Sequence, residues 1–134
     1  MFEYIIKEVN KIVDGDTLDI TIDLGFSILI KQRIRLEGID APETFTKDEV
    51  EKTFGNEAKD FVVLWVSSGN NFTVKTFKDD KYGRILARLY KNNDSESLNE
   101  QMIRKGYAWE YSDVEKRTKN FSLLLERRKA SQLI

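Results

Sequence analysis

The chain has no cysteine and no histidine among its 134 residues, and a single proline. Without cysteine there is no disulfide and no zinc–thiolate centre, and the redox compartment goes unread. Without histidine the commonest general base and the usual zinc ligand are missing. Catalysis by this chain must rest on carboxylates, Arg, Lys, Tyr or Ser/Thr. A bound metal would be a hard, oxygen-seeking ion such as calcium or magnesium. No apolar run approaches the ~20 residues of a membrane helix, so no membrane contact is expected. The opening MFEYIIKEVN mixes acidic, basic and apolar residues and does not read as a secretory leader. A large net charge is lacking too. Lys and Arg number 22, Asp and Glu 23, for a net charge of −1 and a pI near 5.6. Nothing pulls the whole molecule toward a polyanion.

What is present reads as one domain over residues 1–134, 40% hydrophobic and 34% charged, long enough to bury a core. The charge is unevenly spread. Residues 37–60 carry eight carboxylates against three lysines, and residues 73–91 carry six cations against two carboxylates.

Residues 4–13 are expected to form a first strand. TLDITIDL (17–24) alternates strictly, with Leu18, Ile20, Ile22 and Leu24 on one face. After Gly25 the alternation resumes, with Phe26, Ile28, Ile30, Ile34 and Leu36 facing one way and Ser27, Lys31, Arg33, Arg35 and Glu37 the other. FTVKTF (72–77) and RILARLYK (84–91) read as two more strands. Helices are expected over 56–68, on the stripe Ala58, Phe61, Val62 and Trp65, and from Ser97, with Glu100 in capping-box spacing, to Gly106. A third is expected over 113–131, on the stripe Val114, Thr118, Phe121 and Leu125. The fold class is α+β, a five-stranded OB-fold-type antiparallel barrel with three helices.

Three short stretches could carry chemistry. In VDGDT (13–17), Gly15 offers a tight turn through positive φ, flanked by Asp14 and Asp16. The bland alternative is a hairpin turn whose Asp bonds its own backbone. In RIRLEGIDAPET (33–44), Asp40 and Glu43 stand three apart beyond a strand end, and Pro42 restricts Ala41 to extended backbone. Average usage would give roughly seven prolines in such a chain. The alternative there is a strand exit whose carboxylates pair with Arg33 or Arg35 at the surface. In DKYGR (80–84), a Tyr and an Arg flank a turn and could stack on a base and grip a phosphate; the alternative is a polar hairpin tip. Together these stretches supply carboxylates for a hard cation, a spare carboxylate as base and arginines for a phosphate.

VDGDT, RLEGIDAPET, FGNEAKDF, DKYGR and LNEQMIRKGYAW, in that order, resemble the staphylococcal nuclease (thermonuclease) family over nearly the whole chain. The resemblance implies a five-stranded OB-type barrel with three helices and calcium-dependent hydrolysis of DNA and RNA that leaves 3′-phosphate ends. It implies that Asp16 and Asp40 hold Ca²⁺ through carboxylates and Ala41 through its carbonyl. The family often has Thr at that last position, and a backbone ligand survives the change. Glu43 would act as general base on the attacking water, and Arg35 and Arg84 would clamp the phosphate. Lys81, Tyr82 and Tyr111 would line the nucleotide pocket. A monomer is expected.

The chain departs from the pattern in two ways. The family's best-known member is strongly basic. Here Asp48 and Glu49 follow Glu43, so weaker and more salt-sensitive nucleic-acid binding is expected. The hairpin from Leu18 to Gln32 is long, and its tip at Gly25 has no assigned role. The contrasting reading is a catalytically inactive OB-type module that binds nucleic acid or protein. A purely structural domain would require Asp16, Arg35, Asp40, Glu43 and Arg84 to coincide by chance.

Overall fold

The computed structural model describes residues 2–77, 79, 84–111 and 119–132. Period-two alternation produces the strands. They are β1 (Phe2–Asp14), β2 (Thr17–Asp23), β3 (Leu29–Leu36), β4 (Ile39–Asp40), β5 (Phe72–Thr76), β6 (Ile85–Lys91) and β7 (Trp109–Glu110). The helices are α1 (Glu49–Ser67), α2 (Leu98–Arg104) and α3 (Phe121–Gln132). Five strands close a barrel in the order β1-β2-β3-β6-β5, with β5 returning to β1. Leu18, Ile20, Ile34, Leu36, Val74 and Leu89 are fully buried in the core. The 13-residue β1 is long enough to pair with both β2 and β5, and its register with β2 shifts three times. Such bulges let a strand bend around a barrel.

The α+β barrel with three helices is as expected, but one seam is not antiparallel. β3 runs parallel to β6 through Ile34–Ile85, Arg35–Leu86 and Leu36–Ala87. Alternation within a strand reports which face is buried, not which way its neighbour runs. The same seam corrects the expected buried face of the long hairpin. Ile34 and Leu36 are buried where β6 pairs beside β3 and closes the barrel, whereas Leu24, Phe26, Ile28 and Ile30 are exposed. Leu24 to Ile28 form the tip between β2 and β3, where Gly25, Phe26 and Ser27 all have positive φ and the strand alternation stops.

α1 begins seven residues before its expected start. Asp48 caps it, its carboxylate accepting from the Val50 and Glu51 amides at 3.0 and 3.2 Å. Ala58, Val62 and Trp65 bury the expected face. α2 carries the expected capping box between Ser97 and Glu100, and Gly106 follows it at φ +79°. α3 starts at Phe121, with the Asn120 side chain accepting from the Leu123 amide. Its buried residue is Leu124, while Leu125 is exposed, so the expected stripe is one position off. Val114 and Thr118 lie outside the described residues.

Candidate active site

The strands deliver four of the candidate residues to one end of the barrel. The β1–β2 turn carries Asp14, Gly15 and Asp16, and β3 carries Arg35 four positions before Ile39 opens the small β4–β7 sheet. Gly15 is there for space and not for positive φ, which corrects the expectation. A Cβ on it would come within 2.9 Å of Ala58 and 3.0 Å of Ala41. The turn can therefore press against both α1 and the chain leaving β4.

Asp16 is nearly buried and both its oxygens are engaged. Oδ1 accepts from Thr17 Oγ1 at 3.0 Å and Oδ2 from the Ala41 amide at 2.9 Å. Arg35 lies between the two aspartates. Its Nη2 is 3.8 Å from Asp16 Oδ2 and 3.7 Å from Asp40 Oδ1. These are ion-pair distances, longer than hydrogen bonds. The guanidinium is oriented by the backbone, with Nη1 donating to the carbonyls of Ile39 at 2.9 Å and Leu36 at 3.4 Å. The Tyr111 ring sits 5.0 Å from its central carbon, a cation–π contact. The small sheet sets that geometry. Asp40 pairs with Trp109, and the Tyr111 amide donates to Gly38 O at 2.9 Å.

Arg33, two residues earlier on the same strand, behaves differently. It forms a bidentate pair with Asp19 at 2.7 and 3.0 Å. That hydrogen bond holds the Asp19 carboxyl below its ordinary range and the Arg33 guanidinium above its own. The surface pair anticipated for this stretch is therefore Arg33–Asp19.

Glu43 is exposed, and its backbone is fixed from three sides. Its amide donates to Glu51 Oε2 at 3.1 Å. The next residue, Thr44, bonds Asp14 Oδ1 through both its amide and its hydroxyl. Gly55 of α1 packs directly on the chain, so a Cβ there would fall 2.3 Å from Glu43 O and 2.9 Å from Pro42 O. Glu51, only 5% exposed, also accepts from Lys119 Nζ at 2.6 Å. That bond raises the lysine's pKa, burial opposes the rise, and the charges of Glu51, Glu43 and Asp40 add to it. Lys119 thus lies within the field of both candidate carboxylates.

The structure therefore brings Asp16, Arg35, Asp40, Ala41 and Tyr111 together, with Glu43 on the adjoining loop. Arg84 is half-buried just before β6, the strand paired with β3. Lys81 and Tyr82 lie outside the described residues. Glu51, Gly55 and Lys119 escaped the sequence reading, and Asp14 was read only as a flank of the Gly15 turn, not as the acceptor that holds Thr44. One signal was available: Asp48 and Glu51 have the spacing of a capping box.

All donors at the Asp16–Asp40–Ala41 corner are oxygens, which suits a hard cation. Among the described residues no group of three or more His, Cys, Asp or Glu forms a cage, so an ion here would take the rest of its shell from water and substrate. Among the described residues no helix is long and apolar enough to cross a membrane.

A family model described as "Staphylococcal nuclease homologue" matches residues 33–132. The chain is 34% identical over 110 residues to "Endonuclease YhcR" of Bacillus subtilis, covering 77% of this chain and 9% of that protein. It is 36% identical over 103 residues to an "Uncharacterized endonuclease" of Escherichia coli, covering 77% of this chain and 59% of that protein. It is 38% identical over 94 residues to "Probable staphylococcal-like nuclease CAN1" of Oryza sativa subsp. japonica, covering 69% and 26%. The chain spans less than two thirds of the length of each of these relatives.

Proposed function

The chain belongs to the staphylococcal nuclease homologue family, and from that premise we propose that it is a calcium-dependent nuclease that hydrolyses phosphodiester bonds of DNA and RNA. One observation carries the reading. Asp16 and Asp40 converge on a single nitrogen of Arg35, with Glu43 three residues beyond on a loop fixed by α1. A surface salt bridge would have closed on one partner, as Arg33 does.

In this reading Asp16, Asp40 and the Ala41 carbonyl hold the ion. When bound, a hard divalent cation supplies positive charge that polarises the scissile phosphate and partly neutralises it. Arg35 and Arg84 grip the non-bridging oxygens and stabilise the charge that grows on them as water adds. Ile39 O and Leu36 O keep the Arg35 fork oriented beforehand, so little reorganisation is needed at the moment of reaction. Glu43 accepts the proton of the attacking water. The bond to the 5′ oxygen then breaks, that oxygen takes a proton from solvent, and the products are a 3′-phosphate and a 5′-hydroxyl. Tyr111, with Lys81 and Tyr82, holds the nucleotide. One chain supplies every part, and the protein acts as a monomer.

Hydrolysis of single-stranded DNA should therefore proceed in calcium and stop in EDTA. Glu43→Ala in calcium should lose on the order of a hundredfold or more, the size of a missing acid–base group. Wild-type protein that binds DNA and never cuts it with any divalent ion would support the inactive binding module instead.

A further inference from the structure

The loop between Glu43 and α1 is pinned at both ends and presents one ring to solvent at its apex. Thr44 is bonded to Asp14, and the Asp48 amide donates to Thr46 Oγ1 at 3.2 Å. Between them Phe45 is 98% exposed. Its ring borders a cavity of about 560 Å³ lined by Thr44, Phe45, Thr46, Lys47 and Lys52. No carboxylate is among them. Asp48 and Glu49, whose charge was expected to repel nucleic acid here, belong to the start of α1, and the Asp48 carboxylate is committed to its helix amides.

We propose that Phe45, flanked by Lys47 and Lys52, is a stacking subsite for an unpaired nucleobase of the polynucleotide, next along the strand from the bond proposed to be cut. The location rests on the nuclease reading; the binding chemistry does not. Two residues of chain span at most about 7 Å, so the ring lies within a nucleotide or two of a phosphate held beside Glu43. An aromatic face, two hydroxyls and two ammoniums match a base face, its polar edge and the phosphates on either side. A purely apolar occupant would leave both ammoniums without counter-charge. In a duplex the base faces are already covered, so this ring can engage only an unpaired base or a strand end.

The test is affinity, measured by fluorescence anisotropy in calcium on a Glu43→Gln background, which slows turnover, with the labelled strand checked on a gel to be intact after each titration. The probes are a labelled single-stranded oligonucleotide and the same oligonucleotide with abasic residues around its centre. Phe45→Ala should weaken binding of the intact strand roughly 5- to 100-fold, the range for one lost stacking contact. It should leave the abasic strand unaffected, and Phe45→Trp should bind the intact strand at least as well as Phe45 does. The ring is solvent-exposed, so its truncation leaves the core untouched. Equal effects of Phe45→Ala on both strands, or none on the intact strand, would overturn the subsite. Phe45-dependent preference for the intact strand, in a protein whose wild type never cleaves it, would keep the subsite and remove the nuclease reading.

Discussion

Two helices begin with the same three-residue spacing and use it differently. At α2, Ser97 and Glu100 close on each other. Ser97 Oγ accepts from the Glu100 amide at 3.0 Å, and the Ser97 amide donates to Glu100 Oε1 at 3.2 Å. At α1, Asp48 caps the helix, but Glu51 does not return to it. The Asp48 amide takes Thr46 Oγ1 instead, and the Glu51 carboxylate turns to the Glu43 amide and Lys119. The first arrangement stabilises a helix end. The second uses the same kind of residue to hold the loop that bears the proposed base. The diverted acceptor marks where the fold serves the site.

Breaking the α1 arrangement should cost activity, and breaking the α2 arrangement should cost only stability. Gly55→Ala forces a methyl onto Glu43 O and should have the largest effect. Displacing Glu43 by about 1 Å is expected to cost on the order of a hundredfold in kcat, and overpacking about 1–3 kcal/mol of stability. Activity assays paired with urea denaturation would separate the two. Glu51→Gln comes next. It keeps an acceptor for the Glu43 amide but releases Lys119, which then turns toward Glu43 and weakens it as a base. About a tenfold fall in kcat is expected, less than the roughly 10²–10⁴-fold of losing an acid–base group outright, because Glu43 itself remains. Adding Lys119→Met to that variant should restore part of the rate; no recovery would mean Lys119 does not act on Glu43.

The folded-state pKa of Lys119 is raised. Its contribution to stability is therefore complete below the ordinary lysine pKa and is lost as pH rises through the raised value. Melting temperature should fall in that alkaline range in wild type and fall less in Lys119→Met. The smallest effect belongs to α2. Glu100→Gln should cost about 0.5–1 kcal/mol and leave hydrolysis unchanged.

The sequence made some of this legible and not the rest. Leu18, Ile20, Ile34 and Leu36 were readable as core because period-two alternation reports a buried face directly. Asp16, Arg35 and Asp40 were readable as a set only through their order along the chain, since the barrel, not spacing, brings the β1–β2 turn beside the β3 exit. The start of α1 was hidden because its first two turns bury Glu51 and Gly55, an acid and a glycine that break any apolar stripe. Both are buried because they touch the Glu43 loop. The hairpin tip misled for the opposite reason. Leu24, Phe26, Ile28 and Ile30 stand at every second position, although the apolar Leu29 interrupts the pattern, and β6 pairs with β3 only from Ile34 to Leu36. No pattern within one strand records where its neighbour begins.

The same lesson holds for the two arginines of β3. Arg33 closes on Asp19, whereas Arg35 is steered by carbonyls between two aspartates. The most direct measurement is the rate of single-stranded DNA hydrolysis in calcium by Arg35→Lys beside Arg33→Lys. Both keep the charge and lose the planar fork. The account predicts a loss of about a hundredfold or more for Arg35→Lys, and no more than a few-fold change for Arg33→Lys. Equal rates in the two variants, or an Arg35→Lys protein as fast as wild type, would contradict it.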